Sequence, residues 1–291
     1  MSKKTREQIS TVVRYTVLIL VGFVMFYPML WMVGASFKAS NNEIYSTISF
    51  LPKSPSFQAY MDGWTATGNP YSLYLINTFK IVIPKVVGAV VASVVTAYGF
   101  SRFEFPGKTF WFSILLATLF LPQVVLNIPQ FLLFRTWGWT NSYLPLVVPA
   151  FFGAEPYFIF MLVQFMRSVS RELEEAAEID GCNSFERLVY IVVPMVKPTI
   201  VSVALFQFMW AFNDFQGPLI YIDSVKKYPT SLGLRLLTDA ETGFEWNKVL
   251  ALSVVTLLPS LIVFFLAQDQ FVDGIAAGGV KGEENESKRD F

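Results

Sequence analysis

The sequence predicts an all-α membrane protein with six spanning helices. Three observations lead there. First, 54% of the 291 residues are hydrophobic and only 15% are charged, whereas soluble domains carry about a quarter charged residues. Second, apolar runs of the length a bilayer requires, about 20 residues, recur along the chain at about 12–37, 73–100, 109–134, 143–166, 194–219 and 248–268. Third, the stretch between the fourth and fifth runs carries too many charges to sit in lipid.

Residues 1–11 form a short N-terminus bearing Lys3, Lys4 and Arg6. The apolar run that follows exceeds the 7–15 residues or so of a signal peptide's core, so it is read as a first span rather than a cleaved leader. Residues 38–72 are polar, aromatic and proline-bearing, which suits an ordered loop outside the membrane. Lys80 and Lys85 of the second span are placed near one end, where they can snorkel. A tight turn, Ser101 to Lys108, leads into the third span. There the interior Pro122, Asn127 and Pro129 suggest a helix packed inside a bundle, where neighbours satisfy the freed backbone groups. After a short aromatic turn at 135–142 comes the fourth span. The fifth and sixth are joined by a loop at about 220–247, and a Gly-rich, charged tail occupies 269–291. Six spans put both termini on one side, and a modest excess of the 22 Lys and Arg residues falls on that side, which is therefore cytoplasmic.

The charged stretch at 167–197 is the most informative. Ser170 suits an N-cap, and Glu172, Glu174 and Glu175 favour the positive end of a helix. Gly181 supplies a C-terminal stop that calls for φ > 0. Asn183 followed by Glu186 is a capping box opening a second short helix, and Pro194 ends or kinks that helix. The stretch reads as helix, glycine turn, helix, outside the hydrocarbon.

Several chemistries are excluded. There is no histidine, which removes His-based acid–base catalysis, metal ligation and proton relays. The single Cys182 rules out an internal disulfide. Zero net charge argues against a nucleic-acid partner. Gly107-Lys108-Thr109 mimics the end of a nucleotide-binding loop. Arg102 stands where its first glycine should be, however, and no strand precedes it.

In the charged stretch, Glu175-Ala176-Ala177, Gly181, Ile191 and Pro194 stand at the spacing EAA-x3-G-x9-I-x-L-P, with Val193 in place of Leu. This resembles the EAA loop of ABC importer permeases. Ala97-Tyr98-Gly99-Phe100-Ser101-Arg102, with the turn after it, resembles the signature between spans two and three of carbohydrate-importer permeases. Phe212-Asn213-Asp214-Phe215 resembles the Trp-Asn-Asp-Phe segment of maltose-type permeases, with Phe212 for Trp. The resemblance spans nearly the whole chain, a permease domain over 12–268. It implies the type I ABC importer permease fold with a cytoplasmic coupling helix in the EAA loop.

The same resemblance implies one permease of a heterodimer in the bacterial cytoplasmic membrane. Two copies of an ABC ATPase bind below, and an extracytoplasmic solute-binding protein delivers a sugar or oligosaccharide. ATP and Mg would be used by the ATPase, with no cofactor on this chain and no bond chemistry of its own. ATPase coupling falls to Glu174, Glu175, Ala176, Ala177, Asp180, Gly181, Phe185 and Pro194. Gln207, Trp210, Phe212, Asn213, Asp214 and Gln216 are placed near the translocation pathway. An aromatic stripe in a membrane helix also serves plain packing, and Asp214 also suits a helix cap before Gly217-Pro218, so both readings stand. A permease for another solute such as glycerol phosphate is the alternative. An ion-coupled secondary transporter is a further rival, but buried ionisable groups of the kind it uses are few here.

Overall fold

A computed structural model describes residues 3–46, 49–238 and 245–287, with the side chains of 8–46, 49–238 and 245–268. Parts of the outer loops expected at 38–72 and 220–247, namely 47–48 and 239–244, therefore lie outside the described residues, as do 1–2 and 288–291. The helices are α1 (Lys3–Ser36), α2 (Asn41–Ser46), α3 (Gln58–Thr65), α4 (Tyr71–Arg102), α5 (Lys108–Thr118), α6 (Gln123–Thr136) and α7 (Leu144–Val147). They continue with α8 (Pro156–Ser168), α9 (Glu172–Ile179), α10 (Ser184–Arg187), α11 (Val193–Met195), α12 (Lys197–Phe212), α13 (Gln216–Tyr221), α14 (Thr230–Leu236) and α15 (Trp246–Ser287). Among the described residues, four stretches are long and apolar enough to span a membrane, and six if each of two sharply bent helix pairs counts as one span.

The bends revise the sequence reading. The third span is not one helix: α5 and α6 meet at 102°. Pro122 sits at the break with an extended backbone, which ends α5 and starts α6 anew. Nor is this span buried by the chain's own helices, since Pro122, Val124, Val125, Ile128 and Pro129 are all exposed. The fourth span is interrupted by a 3-10 turn at Val148–Phe152 and by Gly153, whose φ of +72° no regular helix contains. The fifth is bent by 81° between Met195 and Lys197, two residues beyond Pro194. It ends at Phe212, so 213–215 are non-helical and α13 is separate. The tail expected from 269 continues α15 as backbone helix to Ser287. Lys85 lies near the middle of α4 and not at its end.

The chain divides into two units. One comprises Met1–Ser72 with Gly233–Leu258, the other Leu73–Leu232 with Pro259–Phe291. Within the first, the Ser36 hydroxyl meets Tyr60 Oη at 2.7 Å, Tyr71 bonds Thr256, and Trp64 packs edge-on against Tyr71. Lys38 is fully buried, its ammonium 5.9 Å from the Trp31 ring and 3.4 Å from the Glu43 carbonyl.

The second unit holds the features that bear on function. In lipid, apolar surface gains little by being turned inward, so close contact and hydrogen bonds must hold helices together. Both are present. Val94, Ala97 and Tyr98 of α4 pack with Phe158, Leu162 and Met166 of α8, and with Leu188, Val192, Val196 and Val203 from the segment after α9. Gly88 lets Phe151 approach: a Cβ there would lie 2.5 Å from the ring. Asn77 Nδ2 donates to the Lys226 and Tyr228 carbonyls at 2.9 and 3.1 Å, and the Thr230 N–H donates to Thr78 Oγ1 at 2.9 Å. These bonds pin the loop after α13 to α4.

Candidate functional site: a charged loop and a polar cavity

The charged loop folds by local rules. Glu172, Glu174 and Glu175 occupy the first turn of α9, where a carboxylate complements the exposed N–H groups. The cap lies one residue later than the sequence suggested: Arg171 occupies the boundary without a side-chain cap. Ser170 Oγ still accepts from the Glu172 N–H at 3.3 Å. At the other end the Gly181 N–H donates to the Glu178 carbonyl at 3.0 Å and the Cys182 N–H to the Ala177 carbonyl at 2.9 Å. These are the paired bonds of a Schellman stop, and Gly181 takes φ +91° to make them. Asn183 then opens α10 with both halves of the capping box: its Oδ1 accepts from Glu186 N at 3.0 Å and Glu186 Oε2 accepts from Asn183 N at 2.7 Å. Residues Leu188–Val192 follow as a π-helical turn, a widened turn often seen at functional sites.

The residues expected to couple to an ATPase divide into two sets. Glu175, Ala176, Asp180, Gly181 and Pro194 are exposed. So are the large apolar side chains of Phe185 at 71%, Ile179 at 88% and Tyr190 at 74%. Ala177 is half-buried. Glu174 points the other way. Its carboxylate pairs with the Arg102 guanidinium at 2.5 Å, and both side chains are below a tenth exposed. The Tyr98 hydroxyl donates to the second oxygen of Glu174 at 3.3 Å. The mimic of a nucleotide loop is a plain turn: Gly107 sits at φ +77° before α5, and Lys108 is engaged by Glu104 and the Phe103 carbonyl, both at 2.8 Å. Lys108 beside it holds the exposed Glu104 carboxyl below the usual carboxylate range.

A cavity of about 390 Å³ lies elsewhere in the same unit. Of the residues placed near the translocation pathway from the sequence, Gln207, Trp210, Asp214 and Gln216 line it, joined by Lys85 from α4, Glu155 at the start of α8, and Gln123, Asn127 and Gln130 from α6. Residues 207 and 210 share one face of α12, and Asp214 follows just beyond the end of that helix. Phe212 falls off that face and is buried against Val82 and Phe208. Asn213 turns its amide back to the Met209 carbonyl at 2.8 Å. Neither lines the cavity. Trp210 stacks on Phe158, with ring centroids 4.9 Å apart.

The Gln207 side chain is fully buried. It approaches the Glu155 carboxyl, yet neither its Oε1 nor its Nε2 makes a hydrogen bond of good geometry. A buried amide in that state costs about 1–3 kcal/mol unless something bonds it. Lys85 and Asp214 lie close enough to Glu155 to act on its charge. Asp214 also does the capping work anticipated for it: its Oδ1 accepts from Gly217 N at 2.9 Å. The sequence reading missed Lys85 and Glu155 in this role. Each is an ionisable group within an apolar run, which is itself the signal.

Residues 86–269 match the family described as binding-protein-dependent transport system inner membrane component. The chain belongs to that family. It is thus a permease subunit of an ABC importer, and hydrolysis of ATP belongs to a separate ATPase. The permease is 34% identical over 256 residues to the probable ABC transporter permease protein YurM of Bacillus subtilis (strain 168), covering 88% of this chain and 84% of that one. It is 29% identical over 280 residues to the galactooligosaccharides transport system permease protein GanQ of the same organism, covering 96% and 98%. It is 28% identical to the trehalose/maltose transport system permease protein MalG of Thermococcus litoralis, covering 91% and 95%. Among solved structures, the fold resembles a chain of a bacterial ABC transporter that imports the acidic polysaccharide alginate. That match has a TM-score of 0.79 at 22% identity and covers 93% of this chain and 99% of that one.

Proposed function

We propose that the permease forms half of the translocation pathway for an uncharged sugar or oligosaccharide, and that the cavity around Gln207 lies on that path. The observation that carries the reading is the lining. Amides of Gln123, Asn127, Gln130, Gln207 and Gln216 stand beside the indole of Trp210, the mixture of hydrogen-bonding groups and apolar surface that a hydroxyl-rich ring needs. Relatives named for galactooligosaccharide and for trehalose/maltose transport support the same class. An anionic solute such as glycerol phosphate fits less well, because the single ammonium of Lys85 shares the cavity with the carboxylates of Glu155 and Asp214.

The sugar arrives from a solute-binding protein, and a second permease completes the path. Two ATPase copies bind below the permease pair, and one of them docks on the charged loop, with Glu175, Ala176, Ala177, Asp180, Gly181, Phe185 and Pro194 at or beside the contact and exposed Ile179 as an apolar anchor. ATP and Mg act in the ATPase alone. Both termini and the loop face the cytoplasm, and the bilayer surrounds the spans. The test is uptake by the whole importer carrying Gln207→Leu, which keeps the volume and removes the amide. Uptake should fall by about tenfold or more, the effect of losing one well-placed polar contact, while ATPase subunits still co-purify. Unchanged uptake removes the cavity from the pathway.

A further inference from the structure

We infer that the buried Arg102–Glu174 pair is the joint that makes the charged loop and the two helices bordering the cavity move as one body. Arg102, Glu174 and Tyr98 are then positioning residues for coupling. The inference rests on the coupling reading of the loop given above.

Three segments meet at this point. Arg102 is the last residue of α4, Glu174 lies in the first turn of α9, and Val169 follows the end of α8. The Arg102 guanidinium binds two of them at once: Glu174 Oε1 lies 2.5 Å from its Nε, and its Nη2 donates to the Val169 carbonyl at 3.1 Å. Tyr98, one turn earlier on α4, donates to Glu174 Oε2. Arg171 returns the contact, its Nη2 donating to the Ser101 carbonyl at 3.4 Å. Away from this joint, the same two helices carry Lys85 and Glu155 to the cavity wall. α4 and α8 are thus the physical link between loop and cavity.

The chemistry explains why a charge pair stands here. Apolar packing among Leu162, Met166, Leu188 and Val192 already joins the segments, but packed apolar surfaces can slide past one another. A buried ion pair cannot separate without leaving two desolvated charges, a far steeper penalty than breaking an exposed pair. A displacement of α9 by a bound ATPase therefore carries the end of α4 with it. The planar guanidinium also fixes direction, since one rigid group ion-pairs with the Glu174 carboxylate through Nε and donates to the Val169 carbonyl through Nη2.

The test uses the whole importer in proteoliposomes, with Cys182→Ser and one new cysteine at Gln216→Cys on the cavity wall. The reading is the change in maleimide labelling rate on vanadate trapping of nucleotide, divided by the nucleotide trapped in the same sample. Glu174→Gln keeps the shape but removes the charge, and should cut this response about tenfold. Arg102→Lys, which keeps the charge but not the planar group that reaches both Glu174 and Val169, should fall between the two. The exchanged pair Arg102→Glu with Glu174→Arg should regain part of the response. A full response per trapped nucleotide in Glu174→Gln overturns the inference. So does a loss of assembly or thermal stability in the same proportion as the response, because that marks a merely structural pair. If the importer without substitutions at Arg102 and Glu174 shows no nucleotide-driven change at all, the coupling reading fails first and the joint falls with it.

Discussion

Gly181 offers the sharpest perturbation of the loop. It holds φ +91° and closes α9 with two backbone bonds, Gly181 N to Glu178 O and Cys182 N to Ala177 O. No atom lies within 4 Å of where a Cβ would stand. Within this chain a substitution therefore meets no steric wall, and its cost to the turn is backbone strain. For alanine that is about 1 kcal/mol, roughly a fivefold shift in the population of the native turn. A β-branched residue in the left-handed region costs about 1–3 kcal/mol. Asparagine tolerates that region and should cost least. The expected order of uptake per ATP hydrolysed is Gly, then Asn, then Ala, then Val, because strain at the stop re-aims α10 and Phe185 relative to α9. The assay pairs proteoliposome uptake with ATPase co-purification and a thermal melt. Two results would refute the reasoning: a valine variant equal to wild type, or alanine, asparagine and valine variants with equal losses. Either would mean the turn's conformation does not govern coupling.

Other outcomes follow from the same geometry. Gly217→Ala places a Cβ 2.6 Å from Asp214 Oδ2 and 2.9 Å from Leu146 Cδ2; it should lower uptake severalfold by pushing the Asp214 carboxylate off its bond to the residue-217 N–H, at a cost of about 1–3 kcal/mol, and an unchanged melt and uptake would contradict this. Asp214→Asn, which can keep that bond, should retain more thermal stability than Asp214→Ala, whose cap is lost at a cost of about 1 kcal/mol; equal melts would deny the cap. Cys182, half-buried beside the glycine stop, should resist a membrane-impermeant maleimide in intact cells and react in inverted vesicles; labelling from outside would reverse the assigned orientation. Glu104, held below the ordinary carboxylate range by Lys108, contributes stability that is present above that range and fades as pH falls through its lowered value. Because the pair is exposed, the effect is small and salt-screened; Glu104→Gln should lower the neutral melt slightly at low salt and flatten the acid limb, and a large neutral shift would contradict it.

The loop was legible in the sequence because its signals are local. Asn183 and Glu186 cap each other across three residues, and Gly181 stops a helix wherever the chain needs φ > 0. The bends were not, since hydropathy reports how apolar a run is and not its direction. Pro122 was visible in the third span, but only geometry shows that α6 leaves α5 at 102° there. The cavity was half legible. Gln207 and Trp210 share a face by spacing, and grouping Phe212 and Asn213 with them ignored that spacing. Lys85 and Glu155 come from α4 and α8, far apart in sequence, and only the fold brings them beside Asp214. The Arg102–Glu174 pair was hidden for the same reason: Arg102 belongs to one motif and Glu174 stands just before another, and nothing in either motif announces the other.

The decisive measurement is accumulation of a labelled oligosaccharide that saturates the importer's solute-binding protein, in proteoliposomes holding both permeases. Accumulation should appear only when the ATPase subunits, ATP and Mg are on the loop side and the binding protein is on the other. Accumulation driven by a proton or sodium gradient, with the ATPase omitted, would contradict that dependence.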